Sequence, residues 1–127
     1  MAKPRKVLRV RLPPYVHPRL EWRRKLQAAI RRAQRQTRVT YAASDRLELS
    51  VRLYLKGRAL EIHDVDNRLK DVMDALQGRI GGSKAIKPNA PVVQNDRQIW
   101  RVAIEKREPP PQSHGLGHLT VRRLQLD

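Results

Sequence analysis

The chain has 127 residues, of which 28 are Lys or Arg and 12 are Asp or Glu, so its formal net charge is +16. This length fits a single domain over residues 1–127, and the charge predicts a polyanionic partner, because clustered cations repel one another until an anion neutralises them. Cysteine is absent, which excludes disulfides, thiolate metal sites and thiol nucleophiles. Apolar runs are too short for a transmembrane helix, and Arg9 and Arg11 interrupt the stretch that a signal peptide needs. We therefore expect a soluble cytoplasmic protein without a membrane partner.

Alternation of apolar and polar residues predicts four strands. The first runs through Leu8, Val10 and Leu12 and stops at two prolines, and the most regular alternation covers residues 47–55. A third strand contains Trp100, Val102 and Ile104, and a fourth begins at Leu119.

Apolar residues at helical spacing predict two helices between these strands. The first begins near Pro18 and buries Trp22, Leu26, Ala29, Ile30 and Ala33. Its other face carries Arg23, Arg24, Arg31, Arg32 and Arg35. The second buries Val65, Leu69, Val72, Met73, Leu76 and Ile80, exposes Asp66, Lys70, Asp71 and Asp74, and ends at Gly78 or Gly81–Gly82. The predicted fold is α+β, a four-stranded mixed sheet with two helices in the order β-α-β-α-β-β.

An acidic segment, residues 61–74, stands out in this basic chain. Asp64 and Asp66 lie two residues apart before the second helix, so in extended backbone both side chains point to one side. Mg²⁺ prefers oxygen ligands and binds through one or two carboxylates together with phosphate oxygens. The alternative is structural: Asp66 caps the helix and Asp64 is a solvated turn residue.

Two further residues have both a functional and a structural interpretation. Lys70 lies one helical turn after Asp66, where it stabilises a metal-bound phosphate or forms an i,i+4 ion pair worth about 0.2–0.5 kcal/mol. Asp96 precedes the third strand and is either a third metal ligand or a turn residue.

Other motifs are weak. His114 and His118 lack the further ligands of a zinc site, and Gly81-Gly82-Ser83-Lys84 lacks the order of a phosphate loop, so no nucleotide cofactor is expected.

Together, Asp64-Val65-Asp66-Asn67, Lys70, Asp74-Ala75-Leu76 and Asn95-Asp96-Arg97-Gln98-Ile99 resemble the signature of the RusA family of Holliday junction resolvases. That signature has Asp-x-Asp-Asn before a helix, a lysine four residues on, then Asp-Ala-Leu, and Asp-Asp-x-Gln-(Ile/Val) before a strand. The likeness covers nearly the whole chain. Asn95 departs from it, because it stands where the family often has an aspartate.

The resemblance implies a small homodimeric endonuclease that cuts four-way DNA junctions symmetrically with Mg²⁺, for which Mn²⁺ can substitute. Carried over by position, Asp64, Asp66 and Asp96 bind the metal, and Lys70 assists cleavage. A more general expectation is that basic side chains contact the DNA backbone: Arg9, Arg11, Arg68, Lys84, Lys87 and the arginine face of the first helix.

Two alternatives remain open at this stage. A non-catalytic RNA- or DNA-binding module explains the arginines but leaves the three aspartates unexplained. The second alternative is a RusA-like fold that binds junctions without cutting them.

Overall fold

The computed structural model describes residues 7–78, 91–112 and 116–125. The strands are β1 (Val7–Leu12), β2 (Leu47–Tyr54), β3 (Ile99–Arg107) and β4 (Gly117–Arg123). The helices are α1 (Arg19–Thr37), α2 (Arg58–Ile62) and α3 (Val65–Leu76), and a 3-10 turn, Asp96–Gln98, precedes β3. The predicted α+β class and element order are confirmed. The five-residue α2 was not predicted, because it buries no residue and so leaves no apolar stripe in the sequence.

The four strands form one mixed sheet in the order β1-β4-β2-β3. β4 is antiparallel to both β1 and β2, whereas β3 is parallel to β2. A parallel pair needs a crossover connection, and α3 supplies it by returning the chain from the end of β2 to the start of β3. The chain after β2 and the chain before β3 therefore lie at opposite ends of this strand pair.

Within the described part of the chain, the helices cover one face of the sheet and leave the other uncovered. Along β1, β2 and β4 every second side chain is buried, and these side chains pack against α1 and α3. The fully buried large residues include Leu8, Leu12, Trp22, Leu26, Ile30, Leu47, Leu49, Leu76 and Leu119. The molecule thus has two layers, and the uncovered face of the sheet is opposite the helices.

The second predicted helix, α3, ends close to Gly78, one of the two predicted end points. α3 ends at Leu76, and Gly78 follows with φ 79, a left-handed conformation that glycine adopts readily. Ile80 and Gly81–Gly82 lie outside the described residues.

Candidate functional site

Two aspartates lie at the N-terminus of α3. Asp64 is the N-cap residue, with extended backbone (φ −79, ψ 135), and Asp66 is in the first helical turn. The capping interpretation of Asp66 is wrong, because the cap position belongs to Asp64 and the Asp64 side chain makes no cap hydrogen bond. Both residues are exposed, and neither carboxylate has a hydrogen bond or ion pair within the described ranges. Their oxygens are therefore available for an external cation.

Lys70 is exposed on α3, one turn after Asp66. No ion pair joins these two side chains, although both lie in the part of the chain that the structure describes. The i,i+4 pair that offered a structural explanation for Lys70 is therefore not formed. Its ammonium group lies on the same helix face as Asp66 and is not neutralised by it.

Asp71 was predicted on the exposed face of α3, and this prediction is wrong. Its side chain is fully buried between α3 and α1. Asp71 Oδ1 accepts hydrogen bonds from Arg19 at 2.9 Å and 2.5 Å, and Arg68 Nε approaches Oδ2 at 3.3 Å without hydrogen-bond geometry. The hydrogen bond to Asp71 is also the main cause that raises the pKa of Arg19. Burial is possible here because three guanidinium groups surround the carboxylate, with Arg23 Nε at 3.7 Å.

Asp74 has a similar structural role nearer the C-terminus of α3. Arg23 Nη2 donates to Asp74 Oδ2 at 2.8 Å, and both side chains are mostly buried. The sequence placed Arg23 on the arginine face of α1, which is wrong, because its side chain points into the interface with α3. Asp74 therefore joins the two helices.

Arg68 was predicted to contact DNA, and burial contradicts this. It is 7% exposed, close to Asp71, and its guanidinium group lies over the rings of Tyr15 at 5.1 Å and Trp22 at 5.6 Å. A cation enclosed by a carboxylate and two aromatic rings cannot reach a phosphate. Arg68 instead fixes the first turn of α3 to α1.

His63 connects this buried cluster to the two free aspartates. Its ring packs edge-on against Tyr15 at 4.3 Å, and its Nδ1 lies 3.3 Å from Arg68 Nη1. Its carbonyl accepts a hydrogen bond from Lys106 Nζ at 3.0 Å, which ties the start of α3 to the end of β3. Burial, and then the charges of Arg68 and Lys106, lower the pKa of His63. The backbone before Asp64 is thus held from three directions.

Asp96 begins the 3-10 turn before β3, where its side chain is exposed and has no partner among the described residues. Asn95 caps this turn by accepting from Arg97 N at 2.9 Å. Asparagine and aspartate cap equally well, so the departure from the family pattern at Asn95 leaves the turn intact. Buried Gln98 bonds to the carbonyls of Ala42 and Asp45. These contacts place Asp96 beside the start of β2.

One chain does not bring the three aspartates together. Asp64 and Asp66 follow β2, whereas Asp96 lies beside the start of β2, so the eight-residue length of the strand separates them, a rise of about 25 Å. Across residues 7–78, 91–112 and 116–125, no group of three His, Asp or Glu side chains is arranged to hold a metal ion. Within one chain the candidate metal site is the pair Asp64 and Asp66.

The predicted basic DNA contacts fall on two opposite surfaces. Strand register places Arg9 and Arg11 on the uncovered face of the sheet, and neither forms an ion pair with a described residue. Four more arginines share that face, paired with Glu48 or Glu105: Arg52, Arg101, Arg107 and Arg122. The exposed face of α1 points the other way and carries Arg24, Lys25, Arg32 and Arg35. Lys84 and Lys87 lie outside the described residues.

The sequence contained a signal for the buried ion network that pattern analysis missed. Arg19, Arg23, Leu26 and Ile30 follow one another at intervals of four, three and four residues, so the two arginines lie on the same face of α1 as its buried apolar residues. Asp71 likewise lies on the buried face of α3, beside Val72 and Ala75. Opposite charges on the buried faces of two helices indicate a buried ion network.

No family model matches the chain, and no curated protein matches it. Among the described residues, none of the helices combines the length and the hydrophobicity that a membrane span requires.

Proposed function

We propose that this protein is a Mg²⁺-dependent endonuclease that cuts four-way DNA junctions, as its resemblance to the RusA family implies. The observation that supports this most directly is the contrast among the aspartates of the acidic segment. Asp71 and Asp74 are neutralised by arginines, whereas Asp64 and Asp66 are exposed and have no ion-pair partner among the described residues. In a chain with a net charge of +16, two neighbouring carboxylates of this kind are best explained by a cation ligand.

The donor set suits Mg²⁺ because it consists of exposed carboxylate oxygens and leaves room for substrate phosphate oxygens. When bound, Mg²⁺ supplies Lewis-acid polarisation of the scissile phosphate and lowers the pKa of a water molecule. Asp64 and Asp66 fix the position of that chemistry at the N-terminus of α3, whose backbone is anchored through His63 and Lys106. Lys70 offsets negative charge that develops on the phosphate during cleavage.

Asp96 belongs to this site only if two copies combine. Within one chain it is separated from Asp64 and Asp66 by the length of β2. A twofold dimer can bring opposite ends of two identical molecules together, and it also matches the symmetry of a four-way junction. We therefore assign Asp96 to the metal site of the partner copy, so that each site has two carboxylates from one chain and one from the other.

Two basic surfaces on opposite sides of the molecule favour branched over linear DNA. A straight duplex can lie along the uncovered sheet face or along α1, but not along both at once. Two arms of a junction can occupy both, each through contacts to the phosphate backbone. Recognition of this kind reads the shape of DNA and requires no base sequence.

The test is cleavage of a synthetic four-way junction with Mg²⁺, compared with linear duplex and with EDTA. Wild-type protein should cut the junction, and Asp66→Asn should bind it without cutting. Asp74→Asn is the matched control, because it removes the same charge from the same helix at a residue that pairs with Arg23. If wild-type protein binds without cutting, or if Asp66→Asn cuts as well as Asp74→Asn, the nuclease assignment is wrong.

One observation favours a second candidate, a non-catalytic nucleic-acid-binding module. Within the described part of one chain no three-carboxylate group exists. This candidate predicts tight binding that EDTA does not affect, and no product with any branched substrate.

A further inference from the structure

β3 forms the outer edge of the sheet and has unusual features for an exposed edge. It is nine residues long, contains no proline, and exposes Trp100 (57%) and Val102 (39%). The other edge, β1, has six residues, and its Leu8, Val10 and Leu12 side chains are buried. Proteins keep exposed sheet edges short, because an open edge templates pairing with another chain. Both edge strands carry charges and are followed by prolines, but β3 is longer and exposes apolar side chains, so it is the edge suited to pairing.

The backbone of β3 has its free hydrogen-bonding groups at alternate residues. Leu55 N donates to the carbonyl of Arg107 at 2.9 Å, so the backbone of Arg107 faces β2. Alternation along the strand then directs the backbone groups of Arg101, Ala103 and Glu105 towards β2. Those of Val102 and Ile104 point away from the sheet, where no described element pairs with them.

The sequence of β3 is complementary to itself in one antiparallel register, the one centred on Ala103. In this register Val102 lies opposite Ile104 of the partner subunit. The backbone groups of these two residues, which point away from β2, can then hydrogen-bond to each other, and their apolar side chains are in contact. Arg101 faces the partner's Glu105, and the twofold axis repeats this ion pair. A register centred on Ile104 places Arg101 opposite the partner's Arg107, and these like charges repel. A register centred on Val102 places Arg101 opposite the partner's Ala103, so no ion pair forms there.

We propose that β3 pairs antiparallel with β3 of a second copy of this chain, in the register centred on Ala103, and joins the two sheets into one. The occupant is a second copy because charge, apolar contact and backbone direction all match under twofold symmetry. The interface requires neither DNA nor metal.

This pairing has a consequence that rests on the proposed function. In an antiparallel pair the start of β3, near Asp96, lies beside the end of the partner's β3. Lys106 near that end holds the carbonyl before Asp64. The dimer therefore brings Asp96 of each copy to the end of the sheet that carries the other copy's Asp64 and Asp66.

Disulfide trapping tests the register, and the absence of native cysteine gives a clean background. The register makes Ala103 face its own copy in a non-hydrogen-bonded pair, with Cα atoms about 4.5 Å apart. That separation is within the range of a disulfide, which is about 4.4–6.8 Å. Ala103→Cys should therefore form a covalent dimer under mild oxidation, seen as a doubled mass on non-reducing gels.

Ser50→Cys is the matched control. Ser50 is a small exposed residue paired with Ala103 on the same uncovered face, but on β2. In the proposed dimer the two Ser50 positions lie three strand spacings apart, about 14 Å, too far for a disulfide. Ala103→Cys should cross-link at least tenfold faster than Ser50→Cys. Equal rates for the two variants, or no cross-linking of Ala103→Cys, would overturn the proposal.

A second variant tests the edge without cysteine. Val102→Pro removes a backbone donor that points away from β2, so it spares the pairing of β3 with β2. It should weaken the dimer at least tenfold by light scattering, whereas Val102→Thr, which keeps the donor, should remain dimeric. A Val102→Pro protein that is folded by circular dichroism and still dimeric contradicts the proposal. If Ala103→Cys cross-links but the protein cuts no junction, the proposed function fails and this interface stands.

Discussion

Two pairs of aspartates, one at the start of α3 and one further along it, differ in burial and in ion pairing. Asp71 and Asp74 are enclosed by Arg19, Arg23 and Arg68, so their charges join α3 to α1. Asp64 and Asp66 are exposed and have no partner in the described ranges. If the proposed function is correct, this acidic segment combines a structural ion network with a metal site.

The largest effect, a loss of cleavage activity, is expected at the exposed pair, Asp64 and Asp66. Asp64→Asn should reduce junction cleavage at least a thousandfold, or about 4 kcal/mol in barrier height, because it removes a proposed metal ligand. Its free energy of unfolding without metal should stay within about 0.5 kcal/mol of wild type, because the carboxylate has no partner to lose among residues 7–78, 91–112 and 116–125. Single-turnover cleavage and urea unfolding measure the two quantities. Activity within tenfold of wild type would remove Asp64 from the site.

At the buried pair, Asp71 and Asp74, we expect a loss of stability and little change in cleavage. Asp71→Asn should lower the free energy of unfolding by about 3 kcal/mol, because it leaves three arginines around a neutral group. Urea unfolding measures this loss. Cleavage by the fraction that remains folded should stay near the wild-type rate. A loss below about 0.5 kcal/mol would show that the network is not a scaffold.

A smaller loss of unfolding free energy is expected at Asp74, which lies nearer the C-terminus of α3. Asp74→Asn breaks a single hydrogen-bonded ion pair with Arg23 and should cost about 1.5 kcal/mol of unfolding free energy. Arg23→Gln should cost a similar amount, and the double variant should cost less than the sum of the two, since each change removes the same interaction. Strict additivity in urea unfolding would contradict the contact.

The smallest effect concerns pH, through His63, which lies between the two pairs. Its pKa is lowered in the folded chain by burial and then by Arg68 and Lys106, so the unfolded chain binds a proton more readily. Stability should therefore be fully present above the unfolded pKa of about 6.5 and fall as the pH drops below it. In His63→Gln this decrease should be less steep. The check is thermal unfolding at a series of pH values, and identical slopes in the two proteins would exclude His63 as the cause.

Much of the fold was predictable from the sequence, because apolar periodicity reports burial directly. The alternation in β1, β2 and β4 and the stripe of α1 each appear in the structure with the expected face inward. β3 is the exception: Trp100 and Val102 lie on the apolar face of the predicted strand but are exposed, because no described element covers this edge of the sheet. Alternation shows that a strand has an apolar face and does not reveal what covers that face.

The candidate site was predictable only in part. Asp64, Asp66 and Lys70 are close in sequence, so local helix geometry determines their proximity. The roles of Asp71 and Arg68 were misjudged, because burial of a charge depends on partners from another helix.

Periodicity and short spacing are local properties of the chain, so they were enough to predict the strands, the two main helices and two carboxylates at a helix start. Which charges are buried, and which end of the sheet carries Asp96, became evident only from the folded chain. Those outcomes depend on the parallel pairing of β2 with β3 and on the packing of α1 against α3, which join residues far apart in the chain.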